Sequence, residues 1–171
     1  MRRRNLLATL GGLGVVGSGV AVFRRRDDDA VSPVRIETLD APGSDAGHRR
    51  VPEPGAVTVL EFFATWCSTC ATYMETLGTV HDAVDAEFVS VTNEPVGVSV
   101  ERSDVVDWWR THDGAWTVGL DSELELTTSL DASAVPYTVV FDAANEVVYA
   151  DAGVRSESEL IDVIESVSAR P

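Results

Sequence analysis

Both cysteines of this 171-residue chain fall within five residues, Trp66-Cys67-Ser68-Thr69-Cys70. A β-branched and aromatic run from Val57 to Phe63 leads into them, and a helix-like stretch from Cys67 to about Val84 follows. A thiol at the start of a helix meets unpaired backbone N–H groups and the positive end of the helix dipole, both of which favour its thiolate. Cys67 is therefore read as the attacking nucleophile. Cys70, one turn later on the same helix face, can resolve the mixed disulfide that Cys67 would form. Thiol–disulfide exchange is the chemistry this spacing serves. A static disulfide and half of a metal site are the alternatives. A closed zinc site takes four protein ligands, and only His48, His81 and His112 remain, scattered along the chain, so no metal and no cofactor is expected.

Glu61 lies six residues before Cys67 and is the single charge in an otherwise apolar strand pattern. Burying a carboxylate is costly, and desolvation raises its pKa towards the range in which it can accept the Cys70 proton. If the strand were at a sheet edge, Glu61 would instead face solvent.

The elements that hold these residues alternate in type. Val57–Phe63, Glu87–Val91 and Thr138–Phe141 read as strands covered on both faces. Helix-like stretches separate them, including Ser103–His112, whose Val105, Trp108, Trp109 and His112 share one face. That stripe reads as core, with one of the two tryptophans left at the surface. A turn at Asp142–Asn145 leads to Glu146–Tyr149, a hairpin. Ser156 and Glu159 form a capping box for a last helix with Leu160, Val163, Ile164 and Val167 on its buried stripe. Alternating strands and helices predict an α/β sandwich.

The order strand, W-C-x-x-C, helix, strand, helix, strand, then Val135-Pro136-Tyr137, a hairpin and a final helix resembles the thioredoxin fold over roughly residues 34–168. An additional helix and strand between Thr92 and Ser129, including Trp116-Thr117-Val118-Gly119-Leu120-Asp121, make the chain similar to the exported TlpA/ResA-type branch. The resemblance implies a central mixed β-sheet sandwiched by helices, with Glu61 as the buried acid. It implies that Pro136 is a cis-proline against the C-x-x-C loop, denying the sulfur a backbone N–H, while Val135 offers its backbone to a bound substrate strand. Trp66 is expected beside the site as a flat contact surface, and Ser68 and Thr69 set the redox potential. Thr69 stands where many relatives have proline, adding an N–H near the Cys67 sulfur. Tyr73 replaces a common glutamate, and Glu75 a helix-kinking proline.

Charge is distributed unevenly. All thirteen basic residues are arginine, and six of them lie in the first 26 positions. From Asp27 onward 28 acids face seven arginines, a balance of −21. This acidic, lysine-free composition resembles proteins of salt-loving, archaeal-type organisms, whose carboxylate surface stays hydrated in molar salt. It lacks the basic stripe that nucleic-acid binding needs.

Arg2–Arg4 precede the uncharged stretch Leu6–Phe23, and the Arg3-Arg4-Asn5-Leu6-Leu7 start resembles a twin-arginine export signal. Residues 1–29 are thus read as an export signal or an uncleaved membrane anchor. Residues 30–55, dense in proline and glycine, form a linker with a first strand at Val34–Leu39, and residues 56–171 form the catalytic domain.

The expected function is an extracytoplasmic thiol–disulfide oxidoreductase. It acts on protein thiols or disulfides and exchanges electrons with a membrane or exported partner, as in the resembled branch, where keeping apo-cytochrome cysteines reduced for cytochrome c biogenesis is a typical task. A thioredoxin-fold copper chaperone for respiratory oxidase assembly is the alternative. A peroxidase is disfavoured, since no lone peroxidatic cysteine with flanking Thr and Arg is present.

Overall fold

The computed structural model describes residues 30–168. The N-terminal signal or anchor expected over residues 1–29 lies outside the described residues. Among those described, no helix is long and apolar enough to cross a membrane.

Seven strands form one mixed sheet: β1 (Val34–Thr38), β2 (Gly47–Val51), β3 (Thr58–Phe63), β4 (Glu87–Thr92), β5 (Thr117–Leu120), β6 (Tyr137–Phe141) and β7 (Val147–Ala152). Their order is β2-β1-β5-β4-β3-β6-β7. β3, β4 and β5 run parallel, and the other pairings are antiparallel. Among the described residues four helices accompany it: α1 (Ser68–Ala83), α2 (Arg102–Thr111), α3 (Glu125–Ser129) and α4 (Glu157–Ser168). This is the thioredoxin fold, with α2 and β5 as the expected insertion.

β3 pairs with β4 on one side and β6 on the other, and all six of its residues are buried. Its apolar character on both faces follows from that double coverage. Val59 and Phe63 join one core with Tyr73, Met74, Leu77 and Val80 of α1, Trp109 of α2, and Leu160, Ile164 and Val167 of α4. Leu60 and Phe62 join a second core on the opposite face, with Ile36, Val51 and Leu126. The α4 capping box is present: Ser156 N–H donates to Glu159 Oε2 at 3.0 Å, and Glu159 N–H donates to Ser156 Oγ at 3.4 Å. Trp109 is the buried tryptophan of its pair. Trp108 is half-buried, its ring stacked on Phe63 with centroids 4.6 Å apart and tilted against His112 at 4.7 Å.

Two elements were not anticipated. Gly47–Val51 is an edge strand paired with β1, so the proline- and glycine-rich region contributes a hairpin to the sheet. The one-turn helix α3 is held by Asp121, whose carboxylate accepts the N–H groups of Leu126 and Thr127 at 3.2 and 2.8 Å. The described chain enters at the β6–β7 turn, where Val31 N–H donates to Asn145 O at 2.9 Å.

Candidate active site

β3 ends at Phe63 and the chain turns through Ala64–Cys67, where Cys67 N–H donates to Ala64 O at 3.0 Å. Cys67 is then the N-cap of α1, and its Sγ takes the role an Asp or Ser oxygen plays in other helices, accepting the Cys70 N–H at 3.0 Å. That places the sulfur at the positive end of a sixteen-residue helix with no acid in its first turn. The thiolate-favouring bond comes from Cys70, so the extra N–H of Thr69 is not the one that reaches the sulfur. Cys67 and Cys70 form a disulfide, with their Cα atoms 5.3 Å apart. Both are buried, Cys70 more completely than Cys67. Ser68 and Thr69 between them are exposed.

Trp66 is 75% exposed, so it is a surface residue of the site and not part of the core. Val135 and Pro136 are joined by a cis peptide bond. Pro136 is buried and Val135 half-buried, and Pro136 O accepts the Gly153 N–H at 2.8 Å, which ties this loop to the start of the β7–α4 connection.

Glu61 is an interior residue of the sheet, 3% exposed. It has the same parity as Val59 and Phe63, and so it points to the face covered by α1, where Cys70 and Tyr73 also lie. Burial pushes its carboxyl up to about 8, partly offset by a hydrogen bond with the Ser90 hydroxyl. Oε2 has no hydrogen-bond partner among the described residues. Ser90 and Thr138 flank Glu61 directly in the register, and the indole of Trp116 donates to Ser90 Oγ at 3.0 Å. Tyr73 is fully buried with its hydroxyl 3.4 Å from Thr138 Oγ1.

The sequence reading missed Glu94. It follows β4, is 7% exposed, and accepts hydrogen bonds from Thr65 N–H at 2.7 Å, Thr65 Oγ1 at 2.9 Å and Thr92 Oγ1 at 3.0 Å. No local pattern signals it, because Thr65, which supplies two of the three donors, lies 29 residues away. The histidines sit elsewhere: His48 on the edge strand, His81 against Phe88 and Trp116, and His112 against Trp108.

A thioredoxin fold with a C-x-x-C disulfide capping its first long helix defines a thiol–disulfide oxidoreductase. The chain belongs to the Redoxin family, whose model matches residues 40–164. No curated protein sequence matches it significantly. Among solved structures it is similar to StoA from Bacillus subtilis, at 20% identity and a TM-score of 0.65, over 78% of this chain and 98% of that one. It is also similar to the exposed lipoprotein thioredoxin Etrx1 from Streptococcus pneumoniae, at 18% identity and a TM-score of 0.64, over 79% and 99%. AhpC from Mycobacterium tuberculosis has the same fold at 17% identity and a TM-score of 0.65, over 82% and 92%.

Proposed function

We propose that this protein is an extracytoplasmic thiol–disulfide oxidoreductase of the TlpA/ResA type, exchanging disulfides with protein substrates. The observation that carries the reading is the Cys67–Cys70 disulfide at the N-terminus of α1, directly after exposed Trp66, in a chain whose Val135–Pro136 bond is cis. The Cys67 thiolate attacks a substrate disulfide, forming the mixed disulfide and releasing one substrate thiolate. Cys70 then gives its proton to Glu61 and attacks Cys67 Sγ, which frees the second substrate thiolate and leaves the protein oxidised. Two electrons pass to the substrate, and the reverse sequence oxidises a dithiol. Val135 offers its backbone, and Trp66 a flat apolar face, to the substrate strand.

The arginine-led segment before residue 30 supports an address outside the cytoplasm, with membrane attachment through that segment, and disulfide chemistry suits such a compartment. The acid-rich, lysine-free surface supports a high-salt environment. A membrane or exported electron donor would complete the cycle, and apo-cytochrome thiols are one substrate class.

Insulin reduction at high salt tests the reading, with Cys67→Ser as control and a copper titration alongside. Turnover that depends on Cys67, without stoichiometric copper binding, is expected. Copper binding without turnover would replace the enzyme with a metal carrier. Mass spectrometry of the membrane-associated protein tests the anchor, and a mature start between about residues 27 and 35 would show cleavage instead.

A further inference from the structure

Glu94 lies outside the C-x-x-C motif, yet its carboxylate is spent on the loop that delivers Cys67. Three donors converge on it, two of them from Thr65, and both oxygens act as acceptors. Thr65 is otherwise a residue of a short irregular turn, Ala64–Cys67, whose own backbone bond is the single one from Cys67 N–H to Ala64 O. The loop carries exposed Trp66 on its outer side and the reactive sulfur at its end. A fixed carboxylate on Thr65 therefore sets where both begin.

It also brings charge. Thr65 and Cys67 are two residues apart, a reach of about 7 Å at most. α1 has no acid in its first turn, so negative charge at this end of the helix arrives from the loop after β4. Glu94 is nearly buried, where salt screens a charge less than at the surface. Titratable groups on this side of the sheet include Glu61 of β3, Cys70 and Tyr73 of α1 and Tyr149 of β7, with Arg155 bonded to Tyr149 and His112 at the end of α2 against Trp108. Among the described residues, no titratable side chain other than Glu94 hydrogen-bonds to the Ala64–Cys67 loop.

We propose that Glu94 is a positioning residue for thiol exchange: it latches the Ala64–Cys67 loop and its charge opposes the helix dipole at Cys67, making the couple more reducing. The inference rests on thiol exchange at Cys67 and not on the compartment or substrates proposed above. Helix and carboxylate pull the thiolate in opposite directions, and the carboxylate holds back the oxidising character that the helix N-terminus alone would give.

Glu94→Gln separates the two roles, because an amide keeps an acceptor for Thr65 N–H and Thr92 while its NH2 can donate to the Thr65 hydroxyl. The readout is the rate of iodoacetamide alkylation of the reduced protein against pH, which needs no substrate, together with the equilibrium against glutathione. Glu94→Gln should raise the Cys67 thiolate fraction below its pKa on the order of three- to ten-fold and shift the glutathione equilibrium towards the dithiol. Glu94→Ala should share that shift and also lose at least about five-fold in insulin-reduction kcat/KM relative to Glu94→Gln. Thr65→Val keeps the charge and removes one bond, so it should lose exchange rate without the thiolate shift, and it stands in if Glu94→Ala fails to fold. An alkylation profile of Glu94→Gln that overlays the wild type overturns the inference. So does wild-type exchange by Thr65→Val, or by Glu94→Ala.

Discussion

Glu61 lies directly across the β3–β6 ladder from Thr138, whose Oγ1 is 3.4 Å from the buried hydroxyl of Tyr73. Burial holds the Glu61 carboxyl up at about 8 against the opposing bond from Ser90, so near neutral pH it is mostly protonated, and its minor deprotonated fraction is the form that would accept the Cys70 proton.

The stability of the oxidised protein should therefore fall as pH rises. Glu61 is raised from about 4.5 to about 8 by burial, so the folded state holds a proton that the unfolded chain releases above about 4.5. Its stabilising effect is complete below pH 4.5 and is lost between there and about 8, an amount on the order of 5 kcal/mol. Glu61→Gln should flatten this window and slow turnover. Urea unfolding at pH 5, 7 and 9 reads the first effect. Wild-type kinetics in Glu61→Gln from pH 6 to 8 would remove Glu61 from proton transfer.

Removing the Tyr73 hydroxyl tests the buried phenol beside Thr138. Burial pushes the phenol up, offset by hydrogen bonds with Thr138 and the Arg155 backbone, so Tyr73 acts here as a neutral hydroxyl. Tyr73→Phe should cost roughly 1 kcal/mol of stability and displace the pH midpoint assigned to Glu61. Denaturant melts across the same pH series measure both effects.

Thr69→Pro should move the reduction potential only modestly, by no more than about 30 mV towards the reducing side. The N–H that reaches Cys67 Sγ belongs to Cys70, and a proline at position 69 leaves it in place. Equilibration with glutathione measures this, and a larger displacement would mean that the Thr69 N–H also stabilises the thiolate.

Trp66→Ala should raise KM for a protein disulfide several-fold and leave reduction by a small dithiol nearly unchanged. The indole is 75% exposed, and in the proposed function it meets a substrate's surface rather than taking part at the sulfur. Equal losses with both substrates would place Trp66 in the chemistry instead.

What the sequence made legible was local. The cysteine spacing and the capping box and buried stripe of α4 are set within a few helical turns, and Glu61 stood out because a charge in a double-sided apolar strand has few explanations. β2 escaped notice because Gly-His-Arg-Arg-Val has no apolar alternation: an edge strand with solvent on its outer side does not need one. α3 depends on Asp121 reaching forward five residues, and Glu94 on a partner 29 residues back, and neither spacing follows a helical or strand period.

The entry of the chain at the β6–β7 turn fixes an orientation. β6 runs antiparallel to β3, so Asn145, which receives the Val31 N–H, marks the end of the sheet opposite the one where β3 delivers Cys67. With strands of five and six residues, nearly 20 Å of sheet separates those two poles. A tether joined at Ala30 would hold the domain by its base and turn the disulfide outward, towards partners that approach from the open side of any surface to which the tether is fixed.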